Sequence, residues 1–265
     1  MSAHCEAQRP DDTRGNGCNS AIEGEIVVDT IDVLAFAPHP DDAELYCSGL
    51  LLQMKQAGKT IGIIDLTKGE LSTRGTLEIR ARETQAATDV LSLDYRDNLE
   101  IPDGNIENSL QNRWKVIEVL RRCKPAMVLY PYFSDRHPDH GATGRLVHEA
   151  VFYSGLEKLQ GNADMHLAPH RPSRIYHYMM THDFEPDFYV DVSDVHDTKL
   201  EAIRAYRTQF FMDSTDSGPG TFVSDPKFLE AIIGRERRFG LLIGCEYAEG
   251  YKFAGPAALN PEALI

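Results

Sequence analysis

No stretch of this 265-residue chain approaches the roughly 18 consecutive apolar residues that a membrane-spanning helix needs. The opening MSAHCEAQRPDDTRGNGCNSAIEGEIVVDT also lacks the apolar core of a secretory signal. Its polar, Asp-, Asn- and Gly-rich composition predicts a poorly ordered leader over 1–29, ahead of a single domain at 30–265. Positive charge is scarce: 27 Lys and Arg face 41 Asp and Glu, for a net charge of −14. That balance argues against nucleic-acid and anionic-membrane partners, which both require a basic surface. The 5 cysteines (Cys5, Cys18, Cys47, Cys123, Cys245) are odd in number, scattered and free of any C-x-x-C. A disulfide framework is therefore not expected, and a reducing cytoplasm fits. The glycine fingerprint of a dinucleotide-binding fold is missing too: where G-x-G-x-x-G would follow the first strand, the chain reads His39-Pro40-Asp41-Asp42.

What is present is ordinary material for a globular core, 42% hydrophobic and 26% charged. Short apolar runs predict buried strands at 33–37, 60–66 and 126–130, with a weaker strand at 95–99. Between them helical spacing recurs. Leu45, Leu50, Leu51, Met54 and Ala57 predict one helix over 43–57, Ile79, Ala86, Ala87 and Val90 mark a second, and Leu110, Trp114, Ile117 and Leu120 a third. A further helix is expected over 142–154. Strands at 174–180 and 188–192 precede helices from about Val195 to Phe210 and from Pro226 to Phe239. The stretch 212–223 reads as a mobile loop. Strands alternating with helices predict parallel βαβ units, hence an α/β, Rossmann-like three-layer sandwich with a mostly parallel sheet. Such sheets bind ligands beyond the carboxyl ends of their strands.

Two motifs fall at that edge. Pro38-His39-Pro40-Asp41-Asp42-Ala43-Glu44 follows the first strand, and His137-Pro138-Asp139-His140 follows the strand at 126–130. Each alone could be a capped helix beside surface histidines. Together they bring two or three histidines and two or three aspartates to one crevice, which points to a metal. Two His and one Asp with an open position suit catalytic zinc, and Fe(II) oxygenases use the same donors. A carboxylate left beside the ion (Asp41) and a histidine across from it (His137) favour hydrolysis over a metal-bearing binding module without turnover.

These loops, with Thr67-Lys68-Gly69-Glu70 through Gly75-Thr76 and Arg80, resemble the PIG-L/LmbE-like N-acetylglucosaminyl deacetylases over about 31–251. The resemblance is closest to the bacillithiol-biosynthesis branch, which acts on N-acetylglucosaminyl-malate. It rests there on Ser134–His140, Pro169-His170-Arg171-Pro172 and Tyr247-Ala248-Glu249-Gly250-Tyr251. It implies the LmbE-like deacetylase fold and a zinc ion held by His39, Asp42 and His140. Asp41 would be the general base, and His137 the group that meets the oxyanion or leaving amine, with Asp139 orienting it. Arg80, Arg171 and Arg136 would contact the substrate, with Arg74 a further candidate. A cytoplasmic homo-oligomer (trimer or hexamer) acting on a small amino sugar is implied as well. Glu44, Cys47, Trp114, His148 and His177 read as structural, while His166, His170 and His182 are candidates to line the substrate mouth.

Overall fold

The computed structural model describes residues 1, 30–159, 167–210 and 217–255. Residues 2–29 of the expected leader, His166, and 212–216 of the loop read as mobile lie outside them. Five strands run parallel: Val33–Ala37 (β1), Ile61–Asp65 (β2), Tyr95–Asn98 (β3), Met127–Pro131 (β4) and Arg174–Tyr178 (β5). Ala248–Phe253 (β7) then pairs antiparallel with both β5 and Phe188–Asp191 (β6), giving the seven-stranded order β3-β2-β1-β4-β5-β7-β6.

The central strands are apolar throughout because both sheet faces are covered. Val33, Ala35, Ile61, Ile63 and Leu129 point to one core, and Leu34, Phe36, Ile64, Val128 and Tyr130 to the other. Asp42–Tyr46 (α1), Ser48–Gln56 (α2), Leu77–Leu91 (α3) and His196–Ala205 (α6) cover the first face. Leu110–Cys123 (α4) and Pro138–Ser154 (α5) cover the second, while Phe228 and Ile232 of Pro226–Ile243 (α7) close the first core near β7. The three-layer α/β reading of the sequence holds. No helix among the described residues is long and apolar enough to cross a membrane.

The departures from the sequence reading have physical causes. The single helix expected over 43–57 breaks at Cys47 (φ −147°), so that α1 stays short and α2 starts afresh. Two backbone amides at the new start, Gly49 N and Leu50 N, donate to the Glu249 carboxylate at 2.9 and 2.8 Å. The buried face of α3 carries Arg80, Glu83, Ala87 and Leu91, while Ala86 is exposed. Apolar periodicity misjudged this face because polar partners satisfy its two charges. The helix expected to reach Phe210 ends at Ala205, and the one expected from 142 begins at Pro138. Tyr247–Tyr251, read as a substrate motif, is mostly strand β7. Its Glu249 joins Lys199, Glu236 and His196 in a buried ionic cluster, with Lys199 Nζ 2.5 Å from Glu236 and 2.6 Å from Glu249.

Candidate active site

The loops after β1, β2, β3 and β4 all leave the sheet at its carboxyl edge and wall one cavity of about 480 Å³, a size suited to a small ligand. The first is the tightest. After β1 the chain turns at His39-Pro40-Asp41, where Asp41 has φ 120°, a conformation a side chain rarely tolerates. The turn is held from both sides. Thr67 donates to Pro38 O through its amide (3.1 Å) and its hydroxyl (3.0 Å), and Arg80 Nη1 donates to Pro40 O at 2.7 Å. The result presents His39, Asp41 and Asp42 side by side.

Three donor atoms converge. His39 Nδ1 lies 3.1 Å and His140 Nε2 3.6 Å from Asp42 Oδ2, and the donor groups of these three residues lie within 4.8 Å of one another. Bonds of about 2.0–2.1 Å to a tetrahedral ion would set neighbouring ligand atoms roughly 3.3 Å apart. The outer nitrogens agree with that use. His140 Nδ1 faces Asp135 Oδ1 at 2.8 Å, and His39 Nε2 faces Asp103 Oδ1 at 3.1 Å and Asp139 Oδ2 at 3.4 Å. Each imidazole thus has a carboxylate behind it, which fixes the tautomer and turns the other nitrogen's lone pair towards a cation. A second overlapping group, His39, His137 and Asp139, also converges. It suits an ion less well, because His137 Nδ1 accepts the Asp139 amide at 3.2 Å. The residues of the first group fit a divalent ion such as zinc.

The electrostatics run the same way. Burial would lower the His39 pKa, but Asp103, Asp139 and Asp42 outweigh it and raise it well above its ordinary value. Burial raises Asp42, yet His140 and His39 hold it below the usual carboxylate range. Asp41 differs: burial raises its pKa, opposed by Arg80 and reinforced by Asp42. A carboxylate poised upward in this way is suited to taking a proton near neutral pH. His137 is half-buried, and burial together with His39 and His140 keeps its pKa low. Its Nδ1 is engaged as an acceptor, so the neutral ring carries its proton on Nε2.

The other expected residues fall as follows. Arg80 lies in the cavity wall with Nη1 3.4 Å from Asp41 Oδ2 and Nη2 3.1 Å from Ser72 Oγ, so it braces the aspartate instead of standing free for substrate. Arg136 lines the mouth, stacked 4.1 Å over the Phe222 ring. Arg171 is not brought to the cavity. It donates to Phe152 O at 2.9 Å, at the far end of α5, about 20 Å along the helix from Asp139. Its neighbour His170 bonds Pro125 O at 2.7 Å, away from the mouth. Arg74 Nε donates to Thr208 O at 2.6 Å. The Asp139 carboxylate accepts Gly104 N at 2.8 Å and faces His39; it is the Asp139 amide that meets His137. His182 reaches the site only through its amide, which donates to Asp135 Oδ2 at 2.7 Å. His177 is buried with Nδ1 3.1 Å from Pro131 O, and His148 bonds the Tyr130 hydroxyl at 2.9 Å.

Sequence reasoning left Asp103 and Asp135 without roles. Asp135 stood inside a quoted motif. Asp103 stands in the middle of Pro102-Asp103-Gly104, a sequence that reads as a simple turn, although its place just past β3, on the same sheet edge, is a usable signal.

Residues 34–151 match the PIG-L family, described as GlcNAc-PI de-N-acetylase. The chain is 29% identical over 236 residues to the diacetylchitobiose deacetylase of Thermococcus kodakarensis, covering 85% of this chain and 84% of that one. It is 29% identical over 205 residues to a probable N-acetyl-alpha-D-glucosaminyl L-malate deacetylase 2 of Bacillus anthracis, covering 69% and 84%. Among solved structures, a conserved protein from Thermus thermophilus superposes with a TM-score of 0.77 at 38% identity, covering 88% of this chain and 98% of its own.

Proposed function

The chain belongs to the PIG-L (LmbE-like) family, and on that footing we propose that it is a zinc-dependent deacetylase hydrolysing the N-acetyl group of a small N-acetylglucosaminide. One observation carries the reading. Beside three convergent donors stands a buried carboxylate, Asp41, that is not needed as a ligand, and His137, with its proton on Nε2, lines the same cavity. His39, Asp42 and His140 would hold the zinc ion, which when bound would supply Lewis acidity to the acetyl carbonyl and to water. Asp41 takes the proton from the attacking water. Arg80, 3.4 Å from its Oδ2, keeps that carboxylate aimed and partly ionised. His137 Nε2–H meets the negative charge developing on the acetyl oxygen, and the proton that Asp41 took from the water passes on to the leaving amine. Asp139 acts through its amide, holding His137 Nδ1.

The aglycone sits at the mouth. Malate would bring two carboxylates, and with Arg171 out of reach and Arg80 engaged, Arg136 is the one expected arginine left at the mouth to meet them. A second sugar, as in diacetylchitobiose, needs no cationic partner and would lie against the exposed Phe222–Arg136 pair at the mouth, which makes it the first reading. The malate glycoside is the second reading, favoured by Arg136. Acetate release from zinc-loaded protein, measured with N-acetylglucosamine, diacetylchitobiose and N-acetylglucosaminyl-malate, tests both. The largest kcat/KM is expected for diacetylchitobiose. A preference for the malate compound reverses the aglycone assignment, and no acetate from any of the three overturns the deacetylase reading.

A further inference from the structure

A second cavity, of about 370 Å³, lies behind the first, between α3 and the ends of β2 and β3. The two share a partition. Pro40 faces the second cavity and Asp41 the first, while the Arg80 side chain lines both. We propose that the second cavity is a release chamber for acetate and that Arg80 is the movable side chain in the partition, a proposal that rests on the deacetylase reading.

The geometry of the reaction gives such an outlet a use. Amide hydrolysis consumes one water and yields an amine and a carboxylate. The sugar and its aglycone must fill the mouth, under Leu71 and Phe222, so that the acetyl group goes deepest, beside Asp41. Acetate is therefore formed on the inner side of the bound amino sugar. It leaves either after the sugar through the mouth, or through the wall. Two buried guanidiniums line the second cavity, and they differ. Arg96 is fixed through all three nitrogens: Nε and Nη2 grip Asp65 at 2.9 and 3.2 Å, Nη1 grips Glu44 at 2.6 Å, and Nη2 also meets the Tyr206 hydroxyl at 3.1 Å. Arg80 is held by Nη1 and Nη2 only, and its buried Nε has no partner among the described atoms. Moving Arg80 gives up its bonds to Pro40 O and Ser72 Oγ but can give that nitrogen an acceptor, whereas moving Arg96 gives up more bonds and gains none. A guanidinium edge matches a carboxylate in shape and charge, so acetate can pass from the reaction centre along Arg80. Beyond the partition the chamber opens past Ala81 and Gln85, both exposed on α3, with the Asp97 carboxylate in its wall and the Lys68 ammonium, paired with Glu100, at the rim.

Ala81→Trp and Gln85→Trp fill the chamber from exposed helix positions and touch none of the groups placed in the reaction. With zinc-loaded enzyme and the best glycoside, acetate formed in the first turnover should stay within about twofold of wild type, while steady-state kcat falls about fivefold or more. Added acetate should inhibit wild type noncompetitively towards the glycoside, since it binds without closing the mouth, and that inhibition should weaken about fivefold in both variants. If both variants melt like wild type and keep its kcat and its acetate inhibition, acetate does not use the chamber and the proposal is wrong. A wild-type enzyme that releases no acetate from any N-acetylglucosaminide fails at the deacetylase reading instead, and the chamber proposal falls with it.

Discussion

Asp135→Asn should weaken metal binding about 10- to 100-fold without unfolding the protein. The magnitude follows from two contacts. Asp135 Oδ1 accepts His140 Nδ1–H at 2.8 Å, and Oδ2 accepts the His182 amide at 2.7 Å. Both partners are donors, and a carboxylate serves both. An asparagine has one oxygen and one NH2, so one of the two contacts becomes donor against donor whichever way the amide lies. A hydrogen bond to a charged group contributes about 1.5–3 kcal/mol. At about 1.4 kcal/mol per decade that is about 10- to 100-fold, the same range seen when the carboxylate behind a metal-bound histidine is lost. The Asp135 pKa confirms the direction: burial raises it, but His140 and the His182 amide bring it down to about 2. The ionised form therefore stabilises the fold at all pH above its ordinary 3.8, and that contribution fades as pH falls towards about 2. The assay is a competitive chelator titration of zinc in both proteins, followed by activity at saturating zinc. The variant should require more free metal and then recover most of its kcat. An unchanged zinc affinity would refute the view that Asp135 orients His140 as a ligand.

Asp41→Asn should keep its metal and lose about 10²–10⁴ in kcat/KM. The acid limb of the wild-type pH profile should lie above the ordinary carboxylate range, because burial raises Asp41, and a limb at that ordinary range would count against Asp41 as the base. Asp41→Gly should also be inactive but melt higher, since glycine adopts φ 120° without strain; a lower Tm would contradict the strain assigned to this turn. Lys199→Met strands two buried carboxylates, Glu236 and Glu249, and should cost about 3–5 kcal/mol at pH 7. In wild type, burial raises Glu236 but Lys199 and His196 hold it below its ordinary 4.5, so its contribution is lost as pH falls. Without Lys199 the Glu236 carboxylate protonates more easily, and the gap in Tm between variant and wild type should narrow at pH 5; a constant gap would be inconsistent with this cluster. Arg171→Ala should lower Tm modestly and leave kcat/KM equally unaffected for neutral and acidic aglycones. A selective loss on the malate glycoside would show that Arg171 reaches a substrate after all.

Much of this architecture was legible because local and global signals agree. β1, β2 and β4 are continuous apolar runs, as strands buried on both faces must be, and each ends where polar chemistry begins. The two His-Asp motifs follow β1 and β4, so the strand-loop-helix pattern put both on one sheet edge, and the pairing of β1 with β4 brings them side by side. What was hidden is polar burial. Arg80 and Glu83 occupy the inner face of α3, and Lys199 is fully buried, because Pro40, Thr208, Glu236 and Glu249 satisfy them from distant parts of the chain. No periodicity reports such partners. Asp103 was illegible for the same reason: a Pro-Asp-Gly turn explains the residue locally, and only the fold shows it 3.1 Å from His39. Arg171 touches the end of α5 away from the cavity, and a motif match carries no information about which end that is.

The φ of 120° at Asp41 connects stability to function. A non-glycine residue held in such a region costs about 1–3 kcal/mol. Glycine would remove the cost, but it would also remove the carboxylate. The chain keeps the strain and clamps it. Pro38 O takes two bonds from Thr67, Pro40 O takes one from Arg80, Asp42 N donates to His39 O at 3.2 Å, and Leu45 N donates to Asp41 O at 3.0 Å. Glu44, one turn on, is tied to Arg96 at 2.6 Å and to the Tyr206 hydroxyl at 2.9 Å, which fixes α1 to β3 and α6. Each of these bonds contributes about 0.5–1.5 kcal/mol, more where a charge takes part, so a handful outweighs the strain. The strained turn also separates two adjacent aspartates by direction. Asp42 starts α1 facing His39 and His140, while Asp41 turns towards Arg80. Neighbouring carboxylates in one relaxed helical turn would share an environment and titrate alike. Here burial raises Asp41 while the imidazoles hold Asp42 down, a difference that suits the roles proposed for them, Asp42 as a ligand and Asp41 as the proton acceptor.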